Sequence, residues 1–428
     1  MSTQTPTEDT VLLNKTVYER FSKRRKRVIL ILVSWCGLIP FFVSGTFLPS
    51  IPEIAKDLDT TGAIVNLSIF ASSLGGLSGA AYSTFYGRRP VYLFGLPLFC
   101  IGTLGVALSK TVPQLMTWRF LQTFGASPAL SVGAGTIGDI YKLEERGQAM
   151  GIFFAACLLG PALAPPIGGL MAQYASWRVM QAALGAAGCL LFICMLLFFP
   201  ETSHPGMRGM DKVSTGSSRF VFVNPLKPLA LLRSPNLFAV AIAGFTVLLT
   251  NFVLLVPLPY TIGVRYGIAD AALIGACYLP GGLGNMIGAP VAGRISDKII
   301  VKWRARRGGV WYPEDRLRAA LGGALLLVPF SVLCSGLVTQ FVPGKVGLVL
   351  SLICLFCNGV GVDVVLSPSA AYAVDVFHDR SAEAMASNVA FRSLLLSVCV
   401  SGLLPLIDTI GVAATNALAA SLAWVGCL

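Results

Sequence analysis

The chain has 428 residues, of which 55% are hydrophobic and only 12% charged, with a net charge of +12 and a mean hydropathy of +0.75. A soluble chain carries about 25% charged residues, so this composition excludes an ordinary soluble protein and reads as a polytopic membrane protein. The basic excess does not by itself point to nucleic acid, because its distribution along the chain decides its meaning.

The first 27 residues are polar and end in the basic run at positions 23–27. No cleavable leader is expected, and the first apolar run is long enough to span a bilayer and reads as a first helix and anchor. Twelve spans follow in order: 28–48, 62–82, 91–109, 114–138, 150–172, 179–199, 236–259, 271–293, 319–341, 346–372, 385–406 and 410–428. The last stops at the final residue without a basic anchor, and reads as short or clipped. A polar segment, 201–235, divides six spans from six and reads as a linker between bundles at 28–200 and 236–428.

Charge bias tests this count. With residue 1 inside, the inner segments hold 25 Lys and Arg and the outer segments 5; Arg119 and Arg392 lie within spans. The net charge is therefore mainly a cytoplasmic anchor, and both termini are expected in the cytoplasm. Residues 23–27 and 302–307 are minor candidates for anionic lipid. The sequons at Asn14 and Asn66 fall in the tail and in a span, so neither is expected to carry glycan.

All 11 cysteines lie in apolar runs. Cys354 and Cys357 form a CxxC without a second pair, and read as small core residues. His204 and His378 fall in predicted loops. No metal site, catalytic group or nucleotide loop is expected.

Residues 115–141 stand out: a long apolar stretch with Arg119 near its start and Asp139 near its end. A related stretch recurs 236 positions later. Laying Asp139 over Asp375 brings Gly125 over Gly361, Leu130 over Leu366 and Ser131 over Ser367. Span 4 thus matches span 10 in the other half. Parallel repeats of this kind mark transporters whose halves rock about a central site. A second pair, residues 80–90 and 293–307, reads as equivalent short basic turns after spans 2 and 8.

In these motifs the chain resembles the major facilitator superfamily, in particular its twelve-span drug/proton antiporters of fungi. The string YGRRPVYL, with Gly87, Arg88 and Arg89, is similar to the end of the superfamily's loop motif. RFLQTFGAS at 119–127 resembles its span-4 motif, and GPALAPPIGGL, with Gly160, Pro161, Gly168 and Gly169, its antiporter motif. SWR at 176–178 and FPET at 199–202 are similar to strings of fungal members. The resemblance implies an all-α fold of two pseudo-symmetric six-helix bundles. It also implies a monomeric transporter of a small molecule, in the plasma membrane, driven by the proton gradient without a cofactor. In the family an acid of the loop motif locks the cytoplasmic side. Here Thr84 and Ala80 replace the family's Asp and Gly, which puts the relay with Arg88 in doubt. Gly293 and Asp297 keep both in the second copy, so that copy is expected to carry more of the lock, with Asp139 and Asp375 at the matching helix ends. Pro165 and Pro166 are expected to bend span 5.

Three charges lie well inside spans. Asp363 is 12 residues before Asp375, about 18 Å along a helix and near mid-bilayer. Arg119 is 20 residues before Asp139, about 30 Å away. Arg392 lies in the inner half of span 11. Such groups are functional candidates, although Asp363 and Arg392 are also candidates for a structural ion pair. Two arginines against one acid suit an anionic substrate, which guanidinium holds in bidentate fashion. Gln122, Asn388, Asn66, Asn251 and Asn285 are polar neighbours, each more often a helix–helix bond than a ligand. Asp363 is the candidate proton carrier, because burial and a nearby arginine act in opposite directions on a carboxyl group. Residues 306–321 and the span-10 string NGVGVDVVLSPSAAY resemble fungal exporters of itaconate and citrate. The leading expectation is a proton-coupled exporter of a small organic anion. A multidrug or secondary-metabolite antiporter and a non-transporting membrane receptor remain as alternatives.

Overall fold

The computed structural model describes residues 18–47, 49–58, 65–141, 143–203, 208–212, 223–224, 226–268, 270–308, 310, 312–376 and 381–427. The tail before Tyr18, with Asn14, the start of span 2 at 62–64, His204 and His378 lie outside them. So do the side chains of Asn66 and Asp375.

No strand occurs among the described residues. Span 1 is α1 (Lys23–Phe47), followed by the short α2 (Ile51–Asp57). Spans 2 and 3 are α3 (Val65–Tyr86) and α4 (Arg88–Leu108). Span 4 is divided into α5 (Val112–Ala126) and α6 (Pro128–Ile140), and spans 5 and 6 are α7 (Leu143–Tyr174) and α8 (Trp177–Phe198). In the second half, span 7 is α9 (Pro235–Leu255) and span 8 is α10 (Ala271–Cys277) with α11 (Leu279–Arg306). Span 9 is α12 (Leu317–Gly322) and α13 (Val328–Phe341), joined by a single π-turn, and span 10 is α14 (Gly344–Val376). Span 11 is α15 (Ser381–Ser401) with α16 (Leu403–Ile410), and span 12 is α17 (Val412–Cys427). Among the described residues nine helical stretches are long and apolar enough to cross a membrane, and α17 is a shorter apolar helix.

Several boundaries differ from the sequence reading for physical reasons. Pro128 has no N–H to continue the helical ladder, so span 4 breaks between α5 and α6, although Ser127 keeps helical angles. The basic segment after span 8 is not a turn: α11 runs on to Arg306, with Arg304 and Arg306 in its last turn, where cations suit the helix dipole. It ends at Gly308, whose φ of +66° suits glycine. Pro161, Pro165 and Pro166 lie inside α7, which remains one helix of 32 residues. The carbonyl of Pro161 has lost the donor that residue 165 would supply, and it faces Gly282 on α11 instead.

Each half has its own apolar core. The first joins α1, α4, α6, α7 and α8 around Ile29, Phe99, Val132 and Phe153. The second joins α9, α13, α14, α15 and α17 around Val253, Val332, Leu355 and Leu396. The halves meet where α3 runs along α15 and α7 along α10 and α11. Small residues allow the second approach. A Cβ on Gly282 would lie 2.3 Å from Ala162 Cα, and one on Gly169 2.4 Å from the Ala271 carbonyl. Gly282→Ala should therefore force the halves apart and lower the thermal midpoint of the detergent-solubilised protein, at a cost of about 1–3 kcal/mol. Gly293→Ala, inside the same helix and where a Cβ meets nothing within 4 Å, should hold the midpoint or raise it slightly in the same melt, because alanine is the better helix former.

Candidate functional site

Arg119 is the largest charged side chain of the interior, 2% exposed. From α5 its Nη1 donates to Gln122 Oε1 at 2.7 Å and its Nη2 to the Val43 carbonyl of α1 at 3.2 Å. Its guanidinium lies 4.0 Å from the Phe47 ring centroid, a favourable cation–π placement. Gln122 is in turn fully buried. Its Nε2 donates to Thr103 Oγ1 of α4 at 3.0 Å and to Gln181 Oε1 of α8 at 2.9 Å. One amide thus ties together α4, α5 and α8, and the arginine adds α1. Thr103 and Gln181 were not singled out from sequence, because nothing local marks them.

The second half repeats part of this arrangement. In the repeat register that lays Asp139 over Asp375, Gln122 falls on Asn358. Asn358 of α14 is 1% exposed, and its Nδ2 donates to Thr250 Oγ1 of α9 at 3.2 Å and to Ser331 Oγ of α13 at 3.1 Å. Each half therefore carries a buried amide at the same register position, bonded to a hydroxyl on its third span. Arg119 has no such counterpart: its register position is Leu355. The sequence reading did not single out Asn358, although the 236-residue offset lays it under Gln122.

Asp363 and Arg392 do not form the ion pair that their sequence positions allowed. Asp363 is half-buried on the face of α14 turned to α11, where its Cβ lies 3.2 Å from the position of a Cβ on Gly288. Arg392 packs instead against Gly244 of α9, where a Cβ would lie 2.9 Å from its Cδ. Among the described residues no carboxylate lies within 4 Å of its nitrogens, and its buried Nε has no hydrogen-bond partner. Asn388, one turn earlier on α15, is 3% exposed and its Oδ1 is likewise without a partner. Asn285 Oδ1 on α11 is a third such atom. Asn251 is half-buried on α9.

At the basic end of the first half, the motif residues form a charge cluster. Gly87, with φ of +108°, ends α3 and opens α4. A Cβ there would lie 2.6 Å from Glu201 Oε2. That carboxylate accepts from the backbone N–H groups of Arg88 at 2.9 Å, Arg89 at 3.1 Å and Ser203 at 3.0 Å. An acid at a helix N-terminus meets the positive end of the dipole. The Arg88 side chain bonds Asp139 at 3.0 Å and Ser83 Oγ at 2.9 Å, and Arg89 Nη2 donates to the Leu196 carbonyl. Arg20, before α1, donates to the Glu201 and Ser203 carbonyls. Thr84 bonds the Ala80 carbonyl in its own helix, while Asp139 and Ser83 hold Arg88. The second copy is the looser one. Asp297 is 76% exposed with Arg316 at 3.8 Å, and Gly293 lies within continuous α11. Asp375 is in the last turn of α14.

The antiporter-motif residues sit at helix crossings. Gly160 faces Phe41, Gly168 faces the Thr46 backbone of α1, and Gly169 faces α10. The SWR string is a clamp at the opposite end. Ser176 caps α8, accepting from Val179 N, while Trp177 and Arg178 both bond Asp57. The Arg178 bond holds the Asp57 carboxyl below the usual carboxylate range. No group of three metal-ligating side chains occurs among the described residues.

The family model described as Major Facilitator Superfamily matches residues 30–399. Three fungal relatives are similar. MFS-type transporter clz19 of Cochliobolus lunatus is 29% identical over 66% of this chain and 58% of its own length. Efflux pump radE of Floropilus chiversii is 28% identical over 91% of this chain and 77% of its own. Citrate exporter 1 of Aspergillus niger is 30% identical over 45% of this chain and 37% of its own. This chain thus spans less than two thirds of the first and third. Among solved structures, the xylose transporter XylE from E. coli, in a partially occluded inward-open conformation, superposes with a TM-score of 0.67. It shows 16% identity over 94% of this chain and 95% of its own.

The Glu201 cluster has a defined pH signature. Burial raises the carboxyl's proton affinity, but the hydrogen bonds from Ser203, Arg88 and Arg89 outweigh it and leave the group below its ordinary range. A depressed acid contributes stability above the unfolded value, about 4.3, and loses it as pH falls through the folded one. Melting of the purified protein should therefore show an acid-side loss of stability that is smaller in Glu201→Gln, which lacks the charge at every pH.

Proposed function

The chain belongs to the major facilitator superfamily, and on that premise we propose that it exports a small organic anion, a di- or tricarboxylate such as itaconate, in exchange for protons. The observation that carries this reading is Arg392, a cation inside span 11 with no acid within 4 Å among the described residues and with a buried, unbonded Nε. An isolated charge inside an apolar bundle is costly and needs a counter-ion. A carboxylate substrate supplies one, and guanidinium can hold it through two parallel hydrogen bonds. Asn388 stands one turn away on the same helix face. Arg119 and Gln122 are assigned to the site from the first half, where their present bonds hold the guanidinium until α1 moves.

Asp363 is the proposed proton carrier. It has no ion pair with Arg392, so its protonation can change without breaking one. The units 28–200 and 236–428 are the proposed rocking bodies, joined by 201–235. Gly87, Arg88, Arg89 and Asp139 form the gate of the first half; Gly293, Asp297 and Asp375 stand at the equivalent place in the second. Gly160, Pro161, Gly168 and Gly169 are the crossing points on which α7 pivots. The protein works as a monomer in the plasma membrane with both termini cytoplasmic. The relative named as a citrate exporter supports the anion reading. A second reading, export of drugs or secondary metabolites, is favoured by the efflux pump matched over 91% of this chain.

The test is flux in vesicles with an imposed pH gradient, comparing labelled itaconate and citrate with a cationic dye. Anion flux is expected, with dye flux at background. Arg392→Ala and Arg119→Ala should each lose roughly ten- to a hundredfold in anion flux, the range for a hydrogen bond to a charged group, with surface expression intact. Asp363→Asn should abolish the response to the pH gradient. Dye flux without anion flux overturns the anion reading in favour of the second; anion flux that survives both arginine substitutions overturns the arginine site.

A further inference from the structure

Three guanidinium groups converge on Trp303, near the end of α11. Arg318 lies 3.9 Å from the ring centroid, Arg307 5.2 Å and Arg306 5.3 Å. Arg307 also lies 5.0 Å from the Tyr312 ring. One carboxylate answers them. Asp315, 1% exposed, is bonded by Arg307 at 2.8 and 3.1 Å, with Arg318 at 3.4 Å. Stacking occupies the flat face of a guanidinium and leaves its N–H edge directed outward. Arg307 turns that edge to Asp315, whereas exposed Arg306 makes no ion pair among the described residues. Lys298, Lys302 and Arg306 follow one another at four-residue spacing, so they share one face of α11, and all three are exposed.

The segment 294–318 carries eight basic residues against Asp297, Glu314 and Asp315. None of the eight basic residues belongs to the transport site proposed above. From Ala271 to Arg306 the span has 36 residues, about 54 Å against a hydrocarbon layer of about 30 Å. The last turns of α11 therefore leave the hydrocarbon and enter the headgroup layer. Val301, Val310 and Tyr312, which are 69%, 50% and 50% exposed, add apolar and aromatic surface beside the basic face. Aromatic rings and basic side chains together are what a membrane interface favours.

We propose that the face formed by Lys298, Lys302 and Arg306, backed by the stack on Trp303, binds the phosphate of an anionic phospholipid headgroup in the adjoining leaflet. The stack fixes the direction of the guanidinium edges, and the excess of cations over Asp315 supplies the charge that an anionic headgroup neutralises. The site couples span 8 to the composition of the leaflet and is separate from the transported molecule.

The experiment uses the full chain in nanodiscs of phosphatidylcholine containing brominated phosphatidylserine or, at the same fraction, brominated phosphatidylcholine. Quenching of Trp303 is isolated by subtracting the Trp303→Phe variant. Stronger quenching by the serine lipid is expected, with the preference falling about fivefold for each charge removed in Lys302→Gln and Arg306→Gln. Both positions are exposed, so the fold is retained, which the other tryptophans report. Equal quenching by the two lipids overturns the proposal, as does a preference that survives the double variant. Loss of the preference on adding inorganic phosphate overturns it too, by making the site one for a soluble anion.

Discussion

A guanidinium inside an apolar bundle persists only where the protein replaces the water it has lost. Arg119 shows how that is done without a neighbouring carboxylate being needed at each nitrogen. Val43 offers a backbone carbonyl, Gln122 an amide oxygen, and Phe47 the face of its ring. The amide must then be satisfied at its other end, and Thr103 and Gln181 do so. One buried charge is thus matched by polar residues on three helices and by a backbone carbonyl on a fourth. The second half keeps the amide as Asn358 but not the arginine. The two halves share a scaffold while only one carries this charge.

Close helix approach is the second constraint. Small residues on α7 let it touch α1 on one side and α10 and α11 on the other. The same helix contains three prolines and so has carbonyls without helical donors. The Pro161 carbonyl faces the glycine of the opposite half. The motif that resembles the antiporter signature is thus a surface on which two halves bear against each other.

The two halves close their basic ends differently. In the first, Glu201 caps α4, Asp139 pairs with Arg88, and Arg20 reaches the same segment. In the second, the matching acid Asp297 is exposed, and the firm ion pairs belong to Asp315 beyond the end of α11. Thr84 offers Arg88 no carboxylate, and Arg88 takes its acid partner from span 4, distant in sequence.

Sequence alone determined the membrane class, the twelve spans, the repeat that relates span 4 to span 10, and the interior positions of Arg119, Asp363 and Arg392. Those follow from composition and from the length of apolar runs, which are local properties that the bilayer enforces directly. Helix ends were less legible: proline at 128 divided span 4, and α11 ran on through a basic stretch because charge does not stop a helix. Which polar groups meet was decided only by the tertiary structure. Gln181 and Thr103 have no local mark, Glu201 read as part of a linker, and Asp363 turned towards α11 rather than Arg392. A partner is chosen by the rotation and crossing of helices, and those depend on packing between segments far apart in the chain.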